Sequence, residues 1–256
     1  GIGVGALLAA TLVPMFARSS LGAVWLALTL LSAMAAWVGW QAARQIGVHA
    51  PVVITPMHMP TASAAPRTAI WSTAVVMVFL AYTCDAFGFV PHTVFWVDYL
   101  DRELQLGAAY ASTQWAFFGL GAIAGPLCAA YCATRWGWWG TTTGAYALKA
   151  VAIGLPLVWA GFGGHALSGF VVGALSPGMA AITSGYLMQL IGPGQHKKMW
   201  GYATAAFALL QASSGYLMAF VYASTGSYRQ LFVLGCAALG LGALLVASSR
   251  LARAAQ

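Results

Sequence analysis

The chain has 256 residues, of which 61% are hydrophobic and only 6% charged, with a mean hydropathy of +0.81. Soluble domains carry roughly 25% charged residues, so this composition excludes a water-soluble fold of this size and implies a protein whose solvent is lipid. The net charge of +7 comes from scattered cations with no basic stripe, which points to orientation in a membrane and away from nucleic acid.

The 30 glycines and 10 prolines suit membrane helices, where both are commoner than in soluble ones. Cys84, Cys128, Cys132 and Cys236 all lie inside apolar runs, so no disulfide framework is expected. Cys128 and Cys132 share a helix face but have no His or acidic partner nearby in sequence. No metal and no cofactor is expected. The sequence opens in a hydrophobic run at Gly1-Ile2-Gly3, without an initiator Met or a charged leader, and a fragment lacking its N-terminal part is expected.

In chain order, eight apolar runs approach or exceed the ~20 residues that a spanning helix needs. They are 1–16 (clipped), 21–43, 69–97, 108–133, 138–159, 166–191, 200–224 and 231–247. None alternates with period two, which excludes a barrel and leaves an all-α integral membrane protein. Connections are short except 44–68, where Pro51, Pro56, Pro60 and Pro66 sit among Thr and Ser. That composition marks a linker, with two helices before it and six after it.

Lys and Arg in the connections set the orientation. Arg44, Arg67, Arg135, Lys197, Lys198, Arg250 and Arg253 fall on one side, and Arg18, Arg102 and Arg229 on the other. The first side is expected to be cytoplasmic, which places the linker and C-terminus inside and loops 98–107 and 225–230 outside. A multi-pass protein of the inner (cytoplasmic) membrane follows. The two helices before the linker resemble the last two, each pair being Gly/Ala-rich with one Arg in its outer loop (Arg18, Arg229). Half-to-half repetition of this kind is common in secondary transporters. If the pairs correspond, four further helices precede them.

Ionisable residues inside a membrane are expensive and mark pathways. Asp85 lies in the middle of the third run. Tyr82, Asp85, Phe89, His92 and Trp96 are spaced 3, 4, 3 and 4 apart, which puts them on one helix face. Aromatics mixed with an acid and an imidazole suit an aqueous substrate cavity, with Asp85 and His92 as proton-coupling candidates. An acid at that depth can exchange a proton as its surroundings change. The bland alternative is a structural Asp bonded to a neighbouring helix. Lys149 is the eleventh cation and lies too deep in the fifth run to reach the surface easily. It can pair with Asp85, line the cavity, or support packing through backbone carbonyls.

Softer signals follow. Gly169, Gly173, Ser176, Ala180 and Ser184 form a small-residue stripe that permits close helix approach. Ser176-Pro177-Gly178 is expected to kink or unwind its helix and expose backbone groups to a substrate. Thr204, Phe207, Gln211 and Ser214 form a mixed stripe, as do Gln114, Phe118, Gly121 and Gly125. Packing is the commoner role of such stripes, with Gln114, Ser176 and Gln211 kept as cavity candidates beside Tyr82, Phe89 and Trp96. The glycine clusters at 1–5 and 161–164 follow no strand, so no nucleotide fingerprint is met. His196-Lys197-Lys198 reads as a cytoplasmic anchor.

Gly121, Gly125-Pro126-Leu127 and Thr134-Arg135-Trp136-Gly137 resemble the loop signature between the second and third helices of a major facilitator half. Arg135 and Gly137 match that signature, while the Asp it normally carries before the Arg is Thr134 here. The stretch from Asp85 through Pro91-His92 to Trp96-Val97-Asp98 is similar to the seventh helix of the YbfB/YjiJ group of bacterial permeases. So are Ser176-Pro177-Gly178, Trp200-Gly201 with Thr204 to Ala208, and Thr225-Gly226-Ser227-Tyr228. The resemblance implies a partial major facilitator fold of about eight transmembrane helices. Residues 1–43 would be the last two helices of the first bundle, 44–68 the linker, and 69–256 the complete six-helix second bundle. It also implies a central cavity and alternating access, with the lipid bilayer, a small-molecule substrate and the missing N-terminal helices as partners.

A proton-linked secondary transporter of a small organic solute is therefore the leading expectation. The rival is an integral membrane enzyme acting on a lipid-soluble substrate, with Asp85 and His92 as its acid–base pair. A photoreceptor with Lys149 as a Schiff-base lysine is a third. Six helices after a cytoplasmic linker favour the transporter.

Overall fold

The computed structural model describes residues 2–49 and 70–254, and these residues contain helices and no strands. The order is α1 (Ile2–Ala17), α2 (Leu21–His49), α3 (Thr73–Gly88), α4 (Val90–Val94), α5 (Trp96–Asp98), a π-helical turn (Tyr99–Glu103), α6 (Ala108–Val158), α7 (Phe162–Ile191), α8 (Pro193–Thr225) and α9 (Arg229–Ala254). Six of these, α2, α3 with α4, α6, α7, α8 and α9, are long and apolar enough to cross a bilayer.

At 51 residues, α6 would extend about 75 Å, more than twice the ~30 Å of a hydrocarbon core. Gly137 resolves this by leaving the helical region at φ 73, ψ 165, a conformation essentially reserved for glycine. It divides α6 into a first limb, 108–136, and a second, 138–158. Two spans replace one, as the runs at 108–133 and 138–159 predict. With the shorter α1, eight apolar helices result. Their lipid-facing surface explains exposures that water would not tolerate, such as Leu127 at 76% and Tyr216 at 82%.

The chain forms two compact units, Thr11–Arg67 and Gly1–Ala10 with Thr68–Gln256. In the smaller unit the end of α1 turns into α2 through Ser19 and Ser20, whose amides bond the Phe16 carbonyl. The Ser20 hydroxyl accepts from the Ala23 amide at 3.1 Å and caps α2. α2 runs on to His49, beyond the 43 expected, because Gln41-Ala42-Ala43-Arg44-Gln45 are good helix formers. The linker from residue 50 to 69 lies outside the described residues.

In the larger unit α3 packs against α8 and α9, and α6 against α7 and α9. Glycines permit the closest approaches. A Cβ at Gly121 would strike the Phe170 carbonyl, one at Gly125 the Ala174 carbonyl, and one at Gly173 the Phe118 carbonyl. The first limb of α6 and α7 thus meet backbone to backbone. α3 and α9 cross in the same way, with a Cβ at Gly88 only 2.5 Å from Leu239 Cγ and one at Gly235 only 2.6 Å from the Gly88 carbonyl. The first residues of α1 belong to this unit, Gly3 lying against Gly119 and Ile123.

Two expectations need correction. The run at 69–97 is not one helix. It breaks after Gly88, where Pro91 in the first turn of α4 lacks an amide hydrogen, and again at Phe95. Conversely, Ser176-Pro177-Gly178 does not unwind α7, which is continuous from Phe162 to Ile191. The Ser176 hydroxyl donates to the Val172 carbonyl at 2.7 Å, and the helix runs on through Pro177. The anchor His196-Lys197-Lys198 is also helical, because α8 starts at Pro193 directly after Gly192 at φ 76.

Candidate functional site

The larger unit carries a half-open cavity of about 700 Å³, lined by α1, α3, α4, both limbs of α6, α7 and α8. Its wall is mostly aromatic and aliphatic. Tyr82 and Phe89 lie 4.6 and 5.8 Å from the Phe207 ring, centroid to centroid, while Trp115 stacks on Phe118 at 4.6 Å. Polar atoms come from Asp85, Lys149, Thr93, Ser176 and Gln211.

Asp85 sits in the last turn of α3 and Lys149 in the second limb of α6. The Lys149 ammonium donates to Asp85 Oδ1 at 2.6 Å. The two side chains are 0% and 2% exposed, and the ammonium also lies 4.9 Å from the centre of the Phe89 ring. The pair is buried, belongs to different helices, and forms part of the cavity wall. A shift of α3 against α6 would separate its charges, and protonation of the carboxylate would remove the attraction between them.

Of the residues singled out by sequence, Tyr82, Asp85, Phe89, Lys149, Ser176 and Gln211 line this cavity. His92, Trp96 and Gln114 do not. The even 3–4 spacing holds a face only while the helix is unbroken. The interruptions at Gly88–Phe89 and Phe95 turn His92 and Trp96 into the core between α7 and α9. There His92 Nε2 meets Ser168 Oγ at 2.7 Å and its ring stacks on Trp96. Gln114 is fully buried because its helix face meets α7 at Gly169. Arg135 and Gly137 stand at the corner of α6. Thr134, in the place of the signature Asp, returns its hydroxyl to the Tyr131 carbonyl at 2.7 Å. Sequence reasoning missed Thr93 and Trp115. Thr93 is brought to the cavity by the break before α4. Trp115 carried a signal in its position one residue beyond Gln114, on the adjoining face of the same helix.

At the opposite end from the Gly137 corner, Glu103 joins two loops. It accepts from the Ser227 hydroxyl at 3.1 Å and from the Tyr228 amide. Loops 98–107 and 225–230 are thereby held together at one end of the unit.

The family model described as "Uncharacterised MFS-type transporter YbfB" matches residues 1–247. No curated protein matches the chain. Among solved structures it is similar to a bacterial homologue of the iron transporter ferroportin in an inward-facing state, at 16% identity and a TM-score of 0.62. That alignment covers 97% of this chain and 59% of the other, so the chain spans less than two thirds of that transporter's length. The structural likeness supplies the fold, and the family match runs along nearly the whole sequence: the chain belongs to the YbfB family of major-facilitator-type transporters.

Proposed function

We propose that the chain forms the second six-helix bundle and part of the first in a proton-coupled secondary transporter. It carries a small organic solute across the inner (cytoplasmic) membrane by alternating access. The observation that carries this reading is the buried Asp85–Lys149 pair in the wall of the cavity. An ion pair at this depth is expensive to maintain and gains nothing for stability over apolar residues, so its value lies in being separable. Protonation of Asp85 releases Lys149 into the cavity, where it can meet an anionic or polar group of the solute. Loss of the proton draws it back.

The aromatic wall suits an organic solute better than a bare cation. Among the described residues no three His, Cys, Asp or Glu side chains come together to hold a metal, and the cavity's one carboxylate is already bonded to an ammonium. Further helices of the same protein complete the first bundle and the opposite wall. The seven-to-three distribution of Lys and Arg supports a cytoplasmic linker and C-terminus.

Asp85→Asn tests the coupling. It keeps size and hydrogen bonding but cannot titrate. In proteoliposomes of the full-length transporter, proton-driven accumulation should be abolished while solute exchange persists. Accumulation against a gradient with unaltered pH dependence would make Asp85 structural.

A further inference from the structure

Two further cavities open beside the Gly137 corner of α6, apart from the solute cavity. The first has a volume of about 360 Å³ and lies between the two limbs of α6 and α7, with Cys128, Cys132, Gly144, Leu148, Phe170 and Ala174 in its wall. The second, of about 270 Å³, is walled by Trp138 and Trp139 of α6, Tyr186 and Gln189 of α7, and Arg250 of α9. Trp136 and Gly140 line both, so the two cavities abut.

The first cavity is apolar and wider than packing requires. Gly140 and Gly144 sit inside a helix, where glycine costs about 1 kcal/mol against alanine. Neither supports a close approach. A Cβ at Gly144 would meet nothing within 4 Å, and one at Gly140 would come no nearer than 3.9 Å, to the Trp136 Cβ. Their missing side chains widen the cavity instead. Thr141 lines it between them, 7% exposed, and its hydroxyl has no partner in the protein. Thr142 and Thr143 donate to the carbonyls of Trp138 and Trp139, four residues back, at 2.7 and 2.9 Å. The same return from Thr141 would fall on Gly137, which has left the helix. The rim faces lipid, with Trp136 66% and Leu148 51% exposed. α1 does not cover it. That helix packs on Gly119, and Cys128 lies about two and a half turns further on, on the opposite side of the limb.

The second cavity carries a charge that no acidic side chain answers. The Arg250 guanidinium carbon lies 4.8 Å from the centre of the Trp139 ring. The chain's four acidic side chains are Asp85, Asp98, Asp101 and Glu103. Asp85 is bonded to Lys149, and the other three lie in or beside the π-helical turn at the opposite end of the unit. Arg135 stands exposed at the same corner as Arg250. Trp139 is fixed by its bond to the Val246 carbonyl at 3.1 Å, and Trp138 by its ring against Gly185. Tryptophans gathered at one level of a membrane protein mark the headgroup zone, and a guanidinium pairs with phosphate through two parallel N–H bonds.

We propose that the paired cavities bind one anionic phospholipid from the leaflet on the Gly137 side. One acyl chain lies along Gly140 and Gly144 in the apolar cavity. The phosphate meets Arg250 and Gln189 in the other, with the Thr141 hydroxyl beside the ester linkage and Trp136 over the join. Both halves of the ligand are needed. A bare phosphate would leave the apolar cavity empty, and a zwitterionic headgroup brings its own cation to a site that already has one. The site is independent of the proton coupling above.

Native mass spectrometry of the full-length transporter, titrated with phosphatidylglycerol and with phosphatidylcholine of the same chains, tests this. The parent should retain one phosphatidylglycerol in preference to phosphatidylcholine. Arg250→Gln should lower that preference by about tenfold, the factor of one charge-assisted hydrogen bond. Arg135→Gln removes a cation of the same corner that lines neither cavity and should leave the preference in place. Gly144→Leu fills the apolar cavity and should weaken both lipids alike. Glycerol phosphate, which has no chains, should not displace the lipid. Equal retention of the two lipids by the parent overturns the proposal. So does a loss in Arg135→Gln as large as in Arg250→Gln, which would reduce the preference to general surface charge. Displacement by glycerol phosphate overturns it in favour of a plain anion pocket, and a parent that forms dimers without lipid overturns it in favour of a second copy on this face. Unchanged retention in a folded Gly144→Leu overturns the placement of the chain. Arg250 and Arg135 are both exposed, so their variants decide the matter even if Gly144→Leu does not fold.

Discussion

Replacing Lys149 by methionine keeps the length of the side chain, removes its charge and leaves Asp85 buried without a partner. At the observed separation of 2.6 Å, the attraction lost is about 6 kcal/mol at an effective dielectric constant of ~20. Part of that is offset, because the ammonium no longer has to be desolvated. Removing one member of a buried pair costs about 3–5 kcal/mol on balance. Replacing both members by apolar groups of similar volume, as in Asp85→Leu with Lys149→Met, should be neutral or stabilising, since no charge is left unpaired. A double-mutant cycle read by denaturant unfolding in mixed micelles, through intrinsic tryptophan fluorescence, separates the two effects. If Lys149→Met unfolds within about 1 kcal/mol of the parent, or the double variant is as unstable as the worse single one, the pair is not the buried, mutually dependent unit described here.

Packing supplies further tests. Gly125→Ala drives a methyl into the Ala174 backbone and should cost about 1–3 kcal/mol by overpacking. Gly144→Ala meets nothing within 4 Å and should gain up to ~1 kcal/mol from helix propensity. Thermal unfolding of the two variants should therefore move in opposite directions. Gly137→Ala forces a side chain into the conformation at the α6 corner and should cost about 1–3 kcal/mol, visible as a lowered unfolding temperature. Glu103→Gln weakens the latch to Ser227 and Tyr228 by about 1–2 kcal/mol. Faster amide exchange confined to residues 98–107 and 225–230 would register it.

The architecture was legible because lipid imposes a simple rule. A run of about 20 apolar residues must be a helix, and each of the eight runs contains one. Gly137 was legible as part of a loop signature, and the pairing of Lys149 with Asp85 as one of several options. Choosing between those options needed the facing of Lys149, which a uniformly apolar helix does not reveal. Helical spacing failed where the backbone stopped being helical. Pro91 and Phe95 redirect His92 and Trp96 out of the stripe that includes Tyr82, Asp85 and Phe89. At Ser176-Pro177 the expected unwinding is absent, because α7 continues as helix through Pro177 beside close glycine contacts with α6. Those contacts, Gly121 and Gly125 against α7, were readable as small-residue stripes, although their partner was not.

Proton-coupled solute transport is tested most directly by reconstituting the full-length transporter in proteoliposomes and measuring uptake and efflux of a panel of small organic solutes, with and without an imposed pH gradient. The account predicts at least one solute that accumulates above its external concentration only when the gradient is present, and that loses this accumulation, but not its exchange, in Asp85→Asn. Movement of that solute at the same rate and to the same level with the gradient collapsed would contradict it.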